Sequence, residues 1–246
     1  MFQGFYDLAA NMITQNRKMN VISNNMANVS TPGFKNDSLI ETTFRDEMIY
    51  RYEGGKKTPI GVVSRVNTID ERVTDYTQGG VRATANTLDF ALNGNGFFAI
   101  QTNNGVVYTR NGSFSIDNER YLCLEGVGRV LGQNGPIQLP TDDIVSDEKG
   151  NLYDAETGGL YGSLRVVDFA DYGQLEKVSG GVFRANGAVG NAQNTIVMQK
   201  NLEDSNVSMV DEMTAMMSGQ RTIQSAAQLL KMYDQLTGKA AQIGNM

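Results

Sequence analysis

Both ends of this 246-residue chain repeat apolar residues in alternating steps of three and four, so each end must lay its stripe on another surface before the chain can close. From Phe5 the count runs Phe5, Leu8, Met12, Gln15, Met19, Ile22 and Met26. From Met209 it runs Met209, Met213, Met216, Gln220, Ile223, Ala227 and Leu230. Each stripe has the spacing of a helical seam interrupted by a single glutamine. The spacing predicts an N-terminal helix over about residues 3–27, because Pro32 pushes the residue before it out of the helical region. It also predicts a C-terminal helix opened by Ser208-Met209-Val210-Asp211, a capping box in which Ser208 accepts from the backbone and Asp211 reaches back. Thr237-Gly238 is expected to end or loosen that helix.

Neither helix can stand alone. Ordering the backbone costs about 1–2 kcal/mol per residue, whereas each buried seam side chain returns about 1.5–3 kcal/mol. In a dilute monomer both ends are therefore expected to exchange their amides rapidly. Val210, Met217, Leu229, Tyr233, Leu236 and Ile243 add a second apolar row to the C-terminal helix, so one row can meet the N-terminal helix and the other something else. Packing of both stripes on an ordinary globular core is the plain alternative.

The middle of the chain changes character. Asn-Gly dipeptides beginning at 93, 95, 104, 111, 134 and 186 separate short β-branched and aromatic runs, which is the pattern of hairpins. Phe97 to Thr102 and Val106 to Arg110 read as one hairpin, continued by Ser113 to Asp117. Further strands are predicted at Tyr121 to Leu124, Arg129 to Leu131, Leu160 to Phe169 and Asn194 to Gln199. The reading is an α+β chain: terminal helical segments 1–35 and 203–246, a connector over 36–75 broken at Gly54-Gly55, and an all-β domain over 76–202.

Composition narrows the chemistry. The chain has no histidine, which removes the usual general base and the usual zinc ligand. Cys123 is its single cysteine, so there is neither an intramolecular disulfide nor a thiolate metal cage. Asp142-Asp143 and Asp147-Glu148 sit in polar, turn-like sequence and read as solvated charge. A net charge of -6 argues against a nucleic-acid surface. No apolar run approaches a membrane span, and the first residues lack the basic and apolar regions of a cleavable signal. The expectation is a non-enzymatic protein with no cofactor and no metal.

Three tracts carry a resemblance. Ser23-Asn24-Asn25-Met26-Ala27-Asn28-Val29-Ser30-Thr31-Pro32-Gly33-Phe34-Lys35 follows the first helix. Gly94-Asn95-Gly96-Phe97-Phe98 goes with Tyr108-Thr109-Arg110-Asn111-Gly112-Ser113-Phe114, and Leu202-Glu203-Asp204-Ser205-Asn206-Val207 opens the last helix. In this order they resemble the axial proteins of the bacterial flagellum, specifically the rod subunits. The resemblance implies that the terminal helices pair as an antiparallel coiled coil lining a tube in the basal body, with the β domain outside. Its implied partners are copies of itself, neighbouring rod or hook proteins and the flagellar type III export apparatus. It implies a proximal-rod position over a distal one, from the short span between Tyr50 and Arg65. The assembly seam is then Phe5, Leu8, Met12, Met19, Ile22, Met26, Met209, Met213, Met216, Ile223, Ala227 and Leu230. An elbow is expected at Asn24, Asn25, Ala27, Asn28, Thr31, Pro32, Gly33 and Phe34, its polar side chains bonding backbone at the helix end and on an adjacent subunit while Phe34 docks as an apolar anchor. A hook or hook-associated protein, or a secreted β-rich module binding cell-wall glycan, is the alternative; the latter would need exposed aromatics, and tryptophan is absent.

Overall fold

The structure, a computed structural model, describes residues 2–43, 46–53, 56–64, 67–192 and 195–244. The chain divides into two compact units. One comprises Met1–Ala27, Asp37–Asp75 and Ser208–Met246; the other comprises Asn28–Asn36 and Tyr76–Val207.

The first unit holds two long helices, α1 (Phe2–Ala27) and α2 (Met209–Gly244). They meet at three levels. Asn25 Nδ2 lies 3.0 Å from Glu212 Oε1, a Cβ built on Gly219 would lie 3.4 Å from Met19 Sδ, and one built on Gly4 would lie 3.0 Å from the Tyr233 hydroxyl. The side chains most deeply covered are Thr14, Ile22 and Asn25 on α1 and Ala226 on α2, and the Gly219 backbone is covered as well. Among the described residues the most deeply covered positions of α2 are thus small ones, which a count by hydrophobicity weighs lightly. Gln15 lines a cavity of about 290 Å³ with Met19, Ile22, Ala215, Gly219 and Thr222.

Two sequence expectations for α2 change. The helix does not stop at Thr237-Gly238 but runs on to Gly244. Thr237 Oγ1 donates to the Asp234 carbonyl at 2.8 Å within the helix, so the hydroxyl is satisfied without breaking it, and a helical glycine costs only about 1 kcal/mol. At the other end the Asp211 amide donates to Ser208 Oγ at 3.4 Å, one half of the expected capping box.

Because a Cβ at Gly219 would meet Met19 at ordinary contact distance, Gly219→Ala should raise stability by up to about 1 kcal/mol through helix propensity. Gly219→Leu should lower it, since a large side chain must push α1 away. Thermal unfolding of the full chain followed at 222 nm separates the two.

Residues 37–74, read from sequence as a connector, form nested antiparallel pairs. Asp37–Thr43 pairs with Asn67–Thr74, and Asp46–Glu53 pairs with Lys56–Ser64. The β-branched content of Ile40, Thr42, Thr43, Ile49, Val62 and Val63 favours this over a flexible link; Gly54-Gly55, the predicted break, lies outside the described residues.

Among the described residues of the second unit every strand pair is antiparallel. Phe97–Thr102 pairs with Gly105–Thr109 around Asn103-Asn104, as the turn signal predicts. The main sheet runs in the order 175–179, 182–185, 105–109, 97–102, 128–132, 122–124, 114–116. Phe114–Ile116 therefore pairs with Leu122–Leu124 and not with the preceding strand. Asn111 turns it aside by accepting at Oδ1 from both the amide and hydroxyl of Ser113. The expected strand over 160–169 is two, Leu160–Ser163 and Val166–Asp168. Short pairs close the unit: Ile196–Gln199 with Phe90–Asn93, and Asn201–Glu203 with Val81–Ala83.

One core cluster gathers Phe90, Leu92, Phe98, Ile100, Leu122, Leu139 and Leu152; the other gathers Phe97, Tyr108, Val167, Phe169 and Phe183. Tyr172 packs beside the second, 5.0 Å from the Tyr76 ring. Burial and a hydrogen bond to Asp168 push its hydroxyl pKa up to about 12. Among the described residues no helix is long and apolar enough to cross a membrane.

Candidate assembly site

The predicted elbow is divided between the units. Its residues through Ala27 belong to the helical unit, and Asn28 onward to the β unit. In the helical unit Asn25 is buried and its amide is used on both sides. Oδ1 accepts from the Asp37 amide at 3.1 Å, and Nδ2 donates to the Asp37 carbonyl at 2.8 Å and to Glu212 Oε1 at 3.0 Å. One side chain therefore fixes the end of α1 to the first strand and to the first turn of α2. Asn24 and Ala27 are exposed.

Removing that amide has a readable effect. Asn25→Ala should weaken the helical unit by about 1–3 kcal/mol, the range for stripping partners from buried polar groups. Hydrogen exchange at the Asp37 amide should accelerate with it; unchanged exchange there would sink the assignment.

In the β unit the turn begins with Thr31, whose amide donates to the Asn28 carbonyl at 3.1 Å and whose hydroxyl donates to Asn28 Oδ1 at 3.2 Å. Gly33 takes φ 65°. Its amide donates to the Glu203 carbonyl at 2.7 Å, and a Cβ there would lie 2.3 Å from the Arg110 carbonyl carbon. Only glycine fits, on both counts. Phe34 is fully buried, with Lys177 Nζ 3.8 Å above its ring centre. Asn28, Thr31 and Pro32 are half-buried.

Next to Phe34 lies a group that the sequence reading did not single out. Lys35, Arg110 and Glu203 form a buried ionic cluster with side chains 0–3% exposed. Lys35 Nζ sits 2.5 Å from Glu203 Oε1 and 2.7 Å from the Thr77 carbonyl. The other carboxylate oxygen accepts from Arg110 Nη1 at 3.2 Å, and Arg110 Nη2 donates to the Gly94 carbonyl at 2.8 Å. The Gly79 amide also donates to Glu203 Oε1, at 3.1 Å. Each of the three tracts quoted from the sequence supplies one member. Its members lay within those tracts, but each has polar or charged neighbours that give no local sign of burial, and the pairing partner lies far along the chain.

Of the predicted seam, Ile22 is buried, and Leu8, Met12, Met19, Met26, Met216, Ile223, Ala227 and Leu230 are half-buried. Met209 and Met213 are exposed, and Phe5 lies outside the described side chains. Among the described residues, the exposed large apolar side chains of α2 fall into two patches. Met209, Val210, Met213 and Met217 lie at its start; Leu229, Met232, Tyr233 and Leu236 lie toward its end, each of the eight between 36% and 74% exposed. At about 100° per residue the centres of these patches lie roughly 140° apart around the helix, on opposite flanks of the face that carries Gly219 and Ala226.

Three family models match the chain. "Flagella basal body rod protein" covers residues 9–35, "Flagellar hook protein FlgE/F/G D1 domain" covers 91–155, and "Flagellar basal body rod FlgEFG protein C-terminal" covers 198–243. Each matched segment contains one member of the buried cluster. The chain is 33% identical over 264 residues to the flagellar basal-body rod protein FlgG of Bacillus subtilis, covering 96% of this chain and 97% of that one. It is 30% identical to FlgF, a flagellar basal-body rod protein of Escherichia coli, over 92% of each chain. It is 26% identical to the flagellar hook-basal body complex protein FlhO of Bacillus subtilis over the full length of both.

Proposed function

Since the chain belongs to the flagellar basal-body rod protein family, whose place is the flagellum basal body, we propose that it polymerises into the rod through its terminal helices. The family is a structural component, which fits a non-enzymatic role. The observation that carries the polymerising step is the pair of uncovered apolar patches on α2. Eight large apolar side chains, four in each patch, remain at least 36% exposed with α1 in place. Two different patches on one helix make a heterologous contact, and such contacts extend into filaments unless the rotation closes a ring.

In this reading α1 and α2 run antiparallel as a coiled coil. The three contact levels support it, because the partner of residue 4 is 233, that of 19 is 219 and that of 25 is 212. Segments 1–35 and 203–246 are the polymerising part and 76–202 the β domain, with 36–75 between them in sequence, its paired strands grouped with the helices. The seam and elbow residues act in assembly, export proceeds by the flagellar type III apparatus, and the short span between Tyr50 and Arg65 favours the proximal over the distal rod, among other rod or hook proteins.

The test is concentrated protein, with and without its rod neighbours, imaged for tubular polymers. Met213→Asp and Leu236→Asp should each abolish the polymer while leaving the far-ultraviolet spectrum and urea midpoint intact. Polymer formation by both variants would overturn the assignment of the α2 patches.

A further inference from the structure

The two patches of α2 differ in chemistry. Met209, Met213 and Met217 follow at four-residue spacing and so lie within about 80° of helix circumference. With Val210 they are the exposed large apolar side chains of the first turns. The second patch is built on Leu229, Tyr233 and Leu236, with Met232 as its one thioether. Met19, by contrast, is half-buried against Gly219. A thioether is an apolar side chain that a mild oxidant turns polar, and a reductase can turn back.

We propose that Met209, Met213 and Met217 form an oxidation site through which hydroperoxides switch off one assembly surface of the free subunit. A sulfur lone pair attacks the terminal oxygen of the hydroperoxide and the O–O bond breaks. The sulfur keeps that oxygen as a sulfoxide and is oxidised by two electrons; the peroxide is reduced to an alcohol or to water, its proton passing to the departing oxygen. Each sulfoxide places a strong hydrogen-bond acceptor where the patch must shed water, and burying it without a donor is unfavourable. The switch rests on the reading that a neighbouring copy covers this patch; the oxidation site does not.

The experiment treats full-length unassembled protein with hydrogen peroxide, maps each methionine by peptide mass spectrometry and images the product for polymer. Met209, Met213 and Met217 should oxidise several-fold faster than Met19 and Met26, and polymer should disappear while helix content is retained. Methionine sulfoxide reductase should restore polymer as it restores these three residues on the map. Cys123 is not a substrate of that enzyme, so recovery excludes thiol damage as the cause. Met19 reacting as fast as the exposed row would overturn the site. Undiminished polymer after oxidation, or no recovery once the map is restored, would overturn the switch. Absence of polymer from untreated protein would instead count against the proposed function, and the peptide map would still decide the oxidation site.

Discussion

Urea titration of Glu203→Ala, followed in the near ultraviolet where the tyrosines and phenylalanines of the second core report, should show the β unit weakened by about 3–5 kcal/mol. The cause is the fate of Lys35 and Arg110. Both are buried, and both have an oxygen of Glu203 within hydrogen-bonding distance. Removing the carboxylate leaves two cations out of water with fewer acceptors, and desolvated charge is far more costly unpaired than paired. Glu203→Gln keeps the shape and one acceptor but not the charge, so it should fall between wild type and Glu203→Ala. The apolar triple variant Lys35→Met, Arg110→Met and Glu203→Leu should recover much of the loss, because residues in one network do not add independently. A Glu203→Ala variant weakened by less than about 1 kcal/mol would show that the cluster is dispensable, since that is the scale of exposed pairs.

The sequence made the helices and the first hairpin readable because each depends on neighbours a few residues away. The seam from Leu8 to Met26 follows the helical period, and Asn103-Asn104-Gly105 names its own turn. The antiparallel pairs of 37–74 were hidden for a related reason: Gly54-Gly55 marks a break, and a break and a hairpin turn share the same residue types. At Gly219 the sequence does carry a signal, since a glycine inside a helix costs about 1 kcal/mol and close approach of a neighbouring helix is one reason to tolerate it; the burial of Ala226 escaped, because periodicity weighs hydrophobicity and gives an alanine little weight. The ionic cluster escaped most completely. Lys35 and Glu203 are separated by 168 residues, and no local rule joins them.

Gly33→Ala should be the other severe substitution, costing about 3 kcal/mol or more in the β unit. Left-handed backbone costs an alanine roughly 1–2 kcal/mol. The rest comes from a Cβ placed 2.3 Å from the Arg110 carbonyl carbon and 2.5 Å from the Asn111 nitrogen, atoms of backbone that cannot rotate away. Gly126 provides the internal control. Its φ of 74° is similar, and a Cβ there would meet nothing within 4 Å. Gly126→Ala should therefore lose only the conformational part, and the difference between the two urea midpoints reads the clash directly. Equal losses would mean that the close approach at Gly33 is relieved by small backbone shifts.

The distance along the chain between Lys35 and Glu203 also sets an order of events. A polypeptide that emerges amino end first presents Phe34 and Lys35 early, yet the carboxylate and the strand that receive them arrive 168 residues later. Until then the ammonium has no acceptor on Glu203, and the backbone carbonyl of Phe34 has no Asn206 amide to accept from. The β unit is thus latched by nearly its last residues, and a nascent or threading subunit stays open for most of its length. A chain shortened to end at residue 200 should lack the cooperative unfolding transition of the intact β unit. A sharp transition in that fragment would show that closure does not wait for the latch.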